Sequence, residues 1–232
     1  IRPALDVPRV RLLAPRAFGV GQRSARGPFW RAAAVGFLSF AVFGYFLSLA
    51  PGYFAASLGI SSLPAVGMLA GLALAASAAV QLAGRGAPSR HRTAGSSPSA
   101  MKRAAWPVRA GLGLLGVGTL GAGLAASAGN GPVLVAGICA AGLGQGIAFR
   151  TVFDRLVDSV APERHAQAVS AVYVVTYLGS AVPVIGLGAL AGVVGLSAAS
   201  AVFTAACAAA AGALAVIAGR GKTPPVRDGG EA

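Results

Sequence analysis

Ser170, Tyr173, Tyr177 and Ser180 stand at i, i+3, i+7 and i+10, within about 80° of one another on a helix of 3.6 residues per turn, and Thr176 adjoins them. Hydroxyls and ring faces gathered on one stripe can bond to or stack on a small solute. Tyr177 lies too near the middle of its apolar run to serve as an interfacial anchor. Other uncharged polar groups sit in separate apolar runs: Ser39, Tyr45 and Ser48 in the first, Gln81 in the second and Gln145 in the fourth. The third run offers only Thr119 before Ser127 at its end. Taken singly, Ser and Thr can bond their own backbone and Tyr can anchor at a membrane surface. As a group, the stripe argues for a cavity, with Tyr45, Gln145, Ser170, Tyr173, Thr176, Tyr177 and Ser180 as candidates for a solute path.

The chemistry these residues exclude is as informative. None of the apolar runs holds Asp, Glu, Lys, Arg or His, so the segment offers no proton relay or ion path at membrane depth. Catalysis there needs a nucleophile with its base, or metal ligands, facing one another across helices, and neither set is present. The expectation is a protein that is not an enzyme and carries no metal or cofactor site. His91 and His165 fall in polar loops, and Cys139 and Cys207 lie among Ala and Gly, where they read as small packing residues. Pro183 interrupts the run that bears the stripe. It should kink or soften that helix and is the candidate hinge.

The elements that position these residues follow from composition. The chain of 232 residues is 56% hydrophobic and 11% charged, with a mean hydropathy of +0.73, far from the averages of soluble domains. The uncharged run from Ala32 to Gly84 is too long for one crossing of roughly 20 residues and suits two, with LGISSLP as the turn. The run from Ala110 to Phe149 is divided by SAGNGP, and the run from Ala166 to Gly219 near Gly192 to Gly195. The fold class is therefore all-α, a polytopic membrane protein with six transmembrane helices, about 32–54, 65–83, 110–127, 133–149, 166–191 and 196–218 in a domain spanning 32–219. Residues 1–31 read as a basic linker that need not be ordered, 84–109 as a polar loop and 220–232 as a polar tail.

Charge sets the orientation. The linker, the loop 84–109, the loop 150–165 and the tail carry +6, +6, 0 and +1, which account for the whole +13, while the other three turns hold no Lys or Arg. By the positive-inside bias, both termini and the long loops are cytoplasmic in an integral protein of the cell (plasma) membrane, whose first partner is the lipid bilayer. Basic clusters beside apolar runs are explained by membrane orientation, so no nucleic-acid partner is expected. The chain opens with Ile and has no secretory h-region in its first thirty residues, so it reads as part of a longer one.

The segment from Gly142 to Gly192 ties these readings together. Phe149, Val152, Phe153, Leu156, Val157 and Val160 form the apolar stripe of a helix, with Arg150, Thr151, Asp154, Arg155 and Asp158 on its other face. The fourth span is thus expected to run on past the bilayer, lie along its surface and stop before Pro162. Gly142 with Gly146, and Gly188 with Gly192, have the GxxxG spacing that permits close helix approach.

The order of FLSFAVFGYFLSLAPGYFAASLG, GLGQGIAF and APERHAQAVSAVYVVTYLGSAVPVIGLG, preceded by RPALDVPRV, resembles the C-terminal six-helix half of a major facilitator superfamily transporter. The resemblance covers Phe29 to Ala218. It implies half of a twelve-helix fold and secondary active transport of a small solute by alternating access. The partner would be an N-terminal half, and the path would be lined by the first, second, fourth and fifth helices of each half. The loop 84–109 keeps Gly84, Arg85, Arg90 and Arg92 but lacks the acidic residue of that family's loop motif, so no gating role is carried over to it. The alternative is a complete six-span permease subunit, working as a homodimer with a second copy of itself or within a multi-chain assembly.

Overall fold

A computed structural model describes residues 23–84 and 98–219, with side chains from 26 and from 105 onward. Most of the linker, His91 and the rest of 85–97, and the tail lie outside the described residues. The chain is an all-α polytopic membrane protein. Its helices are α1 (Arg23–Ser48), α2 (Ala50–Leu58), α3 (Leu63–Ala83), α4 (Pro98–Ser127), α5 (Gly131–Asp158), α6 (His165–Val194) and α7 (Leu196–Gly219). All but the short α2 are long and apolar enough to cross a bilayer. No strand occurs among the described residues.

The turns fall where the sequence punctuates them. Gly59, Gly129 and Gly195 adopt positive φ of 66°, 65° and 84°, a conformation that suits a residue without Cβ. Asn130 caps α5 by accepting the Val133 amide at 3.2 Å, satisfying one of the donors left open at a helix start.

Several boundaries differ from the expectation. Span one does not reach residue 54: α1 ends at Ser48 and α2 restarts at Ala50, because Pro51 has no N–H to give and fits only the first positions of a helix. At its other end α1 begins at Arg23, inside the stretch read as linker. The polar loop is shorter than 84–109, since Pro98 opens α4 and the helix continues to Ser127 without a break. The fourth span does run on, to Asp158, but its apolar face does not lie free along the membrane surface. Val152, Leu156 and Val160 are buried in the protein core, so the stripe extends the packing of the bundle. One 3-10 turn, Pro162–Arg164, then leads into α6, and a His165 ring nitrogen bonds the Val160 carbonyl oxygen at 2.7 Å across the corner.

α1 and α4 are the most enclosed spans, with 61% and 56% of their apolar windows buried, whereas α3 and α6 are 11% buried. The bundle is held mainly by backbone approach. A Cβ on Gly118 would come within 2.7 Å of the Gly137 carbonyl oxygen, and one on Gly137 within 2.7 Å of the Ala122 amide. Gly111 and Gly144 repeat the arrangement seven residues away, giving α4 and α5 a seam at which main chain meets main chain, with only the Ala148 methyl beside Gly111. The GxxxG pair Gly142 and Gly146 does bring helices together, seating α3 on α5 through Ala73, Ala76 and Ser77. Gly188 and Gly192 face open space and mediate no contact among the described residues.

The packing contains an internal exchange. Swapping α1, α3 and α4 for α5, α6 and α7 turns the α3–α5 contact into α6–α1, and leaves α1–α5 and α4–α7 in place. Each trio holds three spans, so the two run in opposite senses through the bilayer. The exchange goes no further: α1–α5 and α4–α7 map onto themselves, α4 packs broadly on α5 whereas α7 meets α1 lightly, and α6 packs on α7 whereas α3 and α4 scarcely meet.

Candidate functional site

A cleft of about 680 Å³ opens between α1, α3, α5 and α6. Its polar wall is built by the close α3–α5 approach. Because Gly146 has no Cβ, Ser77 can lie directly against it, and the Ser77 hydroxyl donates to Gln145 Oε1 at 2.5 Å. Gln81 Nε2 donates to Ser77 Oγ at 2.9 Å, one helical turn on. Ser77 and Gln145 are each 2% exposed, so the chain satisfies groups that would otherwise be buried without partners. With its oxygen engaged by Ser77, Gln145 has its amide nitrogen left to offer the cleft.

The opposite wall is aromatic. Five rings close a circuit: Phe40 to Phe149 at 6.0 Å, Phe149 to Phe153 at 5.6 Å, Phe153 to Tyr173 at 5.8 Å, Tyr173 to Tyr177 at 6.1 Å and Tyr177 back to Phe40 at 5.6 Å. The centroid spacings and the edge-on contacts of Tyr177 with Phe40 and of Tyr173 with Phe153 are those aromatic quadrupoles favour. Three helices contribute to this circuit, and two close α1–α6 approaches hold it. Gly36 admits Thr176, and Gly44 lies so near α6 that a Cβ there would be 2.9 Å from the Ser180 carbonyl oxygen.

The structure brings together four of the residues singled out in the sequence: Gln145, Tyr173, Tyr177 and Ser180 all line the cleft. Ser180 spends its hydroxyl on the Tyr177 carbonyl at 2.8 Å. The other three path candidates lie elsewhere. Thr176 is fully buried against Gly36 and donates to the Val172 carbonyl at 2.8 Å, so it belongs to the α1–α6 contact. Tyr45 turns the other way, fully buried beside Phe46, Phe54 and Phe203. Its hydroxyl faces that of Ser200, and among the described residues the Ser39 hydroxyl is buried without a hydrogen-bond partner. Ser170 does not line the cleft but shares an open groove on the exposed face of α6 with Tyr173 and Tyr177. Pro183 lies in an apolar groove between α1, α6 and α7, and α6 continues through it, with the Gly179 carbonyl deprived of its usual donor.

Ser77, Phe40 and Phe149 were not among the candidates. A lone Ser in an Ala-rich helix and Phe in an apolar run carry no pattern that separates a cleft from a core. Arg150, just past the cleft, also has a role the sequence does not announce. It donates to the Gln81 carbonyl at 3.1 Å and to the Gly84 carbonyl, taking up acceptors that the end of α3 leaves open, while its Nε pairs with Asp154 at 3.6 Å. Thr119, by contrast, is fully buried away from the cleft and bonded to the Leu115 carbonyl at 2.7 Å. Cys139 and Cys207 are both free thiols.

Searches of family models, of curated protein sequences and of solved structures returned no match to this chain.

Proposed function

We infer that this chain is the C-terminal half of a secondary transporter of the major facilitator type, moving a small solute by alternating access. The observation that carries the reading is the cleft, lined by the first, second, fourth and fifth spans with Gln145, Gln81 and Ser77 on one wall and Phe40, Phe149, Tyr173 and Tyr177 on the other. The third and sixth spans stand outside it, as alternating-access halves require of their supporting helices.

The lining selects a solute class. Amide and hydroxyl groups offer hydrogen bonds, the rings offer stacking, and none of the lining residues is charged. A neutral or cationic compound with an aromatic or flat apolar face fits, the cation through ring faces. The basic loops support a topology with both ends of the segment on the cytoplasmic side of the cell membrane. The wall exposed on α6, where Tyr177 is 61% and Leu178 51% accessible, is where an N-terminal half would close the path.

The test is flux in proteoliposomes holding the full-length gene product, against a panel of flat neutral and cationic solutes. Transport above empty vesicles that falls in Gln145→Leu and Tyr177→Ala, with folded protein unchanged, is expected. Flux indifferent to both would put the path elsewhere. Leu178→Cys in a background without Cys139 and Cys207 separates the two possible partners, because efficient disulfide-linked homodimers in the membrane would favour a second copy over an N-terminal half.

A further inference from the structure

The polar wall of the cleft has a direction. Gln81 Nε2 donates to Ser77 Oγ at 2.9 Å, and Ser77 gives its single proton to Gln145 Oε1 at 2.5 Å. The two lengths fix which atom of each amide meets the serine: 2.9 Å is the usual N–H···O distance, whereas 2.5 Å belongs to O–H···O and is too short for an amide nitrogen. Gln145 thus commits its oxygen to α3 and keeps both protons of its nitrogen.

The backbone holds this arrangement in place. Gln145 stands between Gly144, which is pressed on α4 at Gly111 and Leu115, and Gly146, which is pressed on Ser77. The residue is 2% exposed, yet it lines the cleft, and among the described residues no group accepts from its Nε2. A buried donor in that position is costly until an acceptor enters the cleft. The other polar groups of the lining impose no such direction. The Tyr173 and Tyr177 hydroxyls can donate or accept, Gln81 keeps its oxygen and one N–H, and Ser180 is bonded to the Tyr177 carbonyl.

We propose that Gln145 is the specificity-determining donor of the cleft, held in that polarity by Ser77 and Gln81, and that it selects flat aromatic solutes carrying a bare hydrogen-bond acceptor at the ring edge, a carbonyl oxygen or a pyridine-type nitrogen. A solute whose edge offers only an N–H meets a second donor there and leaves both unpaired. The inference rests on the cleft being the solute site and narrows the class that its rings admit.

Quinoline and indole are flat bicycles that differ in this respect, since the ring nitrogen of quinoline only accepts and that of indole only donates. The measure is equilibrium binding of each to the full-length gene product in nanodiscs, above empty nanodiscs, because binding needs no transport. Quinoline should bind about tenfold more tightly than indole, as for a buried donor left unpaired by the second solute. Gln145→Leu should erase the preference by weakening quinoline alone. Ser77→Ala should lower it from the other side, because the released amide can turn its oxygen to the cleft and accept from indole. A role in packing alone would move both solutes together. Equal affinities in the parent protein, binding of neither solute, or a quinoline preference that survives both variants would overturn the donor assignment. Quinoline bound with the expected preference but not carried across proteoliposomes would count against the transport reading and leave the donor in place.

Discussion

The Ser77 hydroxyl of α3 donates to the Gln145 amide oxygen of α5 at 2.5 Å, and both residues are almost wholly enclosed. Little water competes for either group, so the bond fixes the register of two spans at the depth of the cleft. Interhelical hydrogen bonds in membranes are worth about 0.6 kcal/mol on average and up to about 1.7. Ser77→Ala, which strands the Gln145 oxygen, should therefore cost about 1 kcal/mol, read as a lowered unfolding midpoint in detergent. The double variant Ser77→Ala, Gln145→Leu should recover part of that loss, because the Gln145 oxygen is then no longer stranded, while Gln81 loses its Ser77 acceptor in both variants alike. Losses that simply add would show that the bond is not made.

For the tyrosines, solute affinity is the measure. Tyr177→Ala and Tyr173→Ala remove both ring and hydroxyl from the cleft and should weaken binding roughly tenfold, about 1.4 kcal/mol. Tyr177→Phe keeps the ring and separates stacking from hydrogen bonding. Thr119→Val, buried away from the cleft, should leave affinity intact. Equal effects at Thr119 and the tyrosines, once corrected for folded protein, would remove the stripe from the path.

The glycine seam predicts a contrast among chemically identical substitutions. Gly118→Ala and Gly144→Ala drive a methyl into backbone atoms of the facing helix and should each cost about 1–3 kcal/mol of stability. Gly188→Ala meets nothing within 4 Å, and Ala is the better helix former by about 1 kcal/mol, so it should be neutral or stabilising. Thermal unfolding of the three variants in one detergent is the comparison. Equal shifts would mean the α4–α5 contact is looser than described.

Arg150 and Asp154 should behave unequally despite their ion pair. Asp154 is 53% exposed, and an exposed i,i+4 pair contributes about 0.3–0.5 kcal/mol, so Asp154→Asn should change little. Arg150→Gln releases the carbonyls of Gln81 and Gly84 and should speed amide exchange at the end of α3. Exchange that is equally fast in both variants would show that the ion pair, not the backbone clamp, holds that end.

Orientation can be read chemically. In a background without Cys139 and Cys207, Ser159→Cys should react with an impermeant thiol reagent only from the cytoplasmic side and Asn130→Cys only from outside. Labelling of both from one side would break the six-span topology.

How much of this was legible in the sequence differs by feature. The six crossings and their turns could be read because uncharged runs and Gly or Pro punctuation are strong local signals, as at Gly59, Gly129 and Gly195. The ends of α1 and α4 were not, since Arg23 to Arg31 and Pro98 to Arg109 are polar yet helical, and polarity alone reads as loop. Of the path candidates, Tyr173, Tyr177 and Ser180 share the cleft because a stripe on one helix is a one-dimensional fact, and Gln145 joins them from α5. Thr176 lies only one residue from Tyr177, yet that 100° step carries it round to α1. Which way Tyr45 turns depends on where α7 lies, which no local pattern encodes. Partnerships such as Ser77 with Gln145 depend on pairs of glycines on facing helices, visible only once the helices are set side by side.

The seam between α4 and α5 has one more implication, for how such a chain can diversify. Gly111, Gly118, Gly137 and Gly144 fit mainly by main-chain shape, and none of them lines the cleft. Changes at Phe40, Gln81, Tyr173 or Tyr177 can therefore reshape the cleft without disturbing the α4–α5 seam. The seam itself has almost no room to drift, because the smallest possible side chain already collides. A library confined to Phe40, Gln81, Tyr173 and Tyr177 would therefore vary the cleft on an unchanged α4–α5 frame, while Gly36, Gly44 and Gly146, which shape the cleft itself, would have to stay.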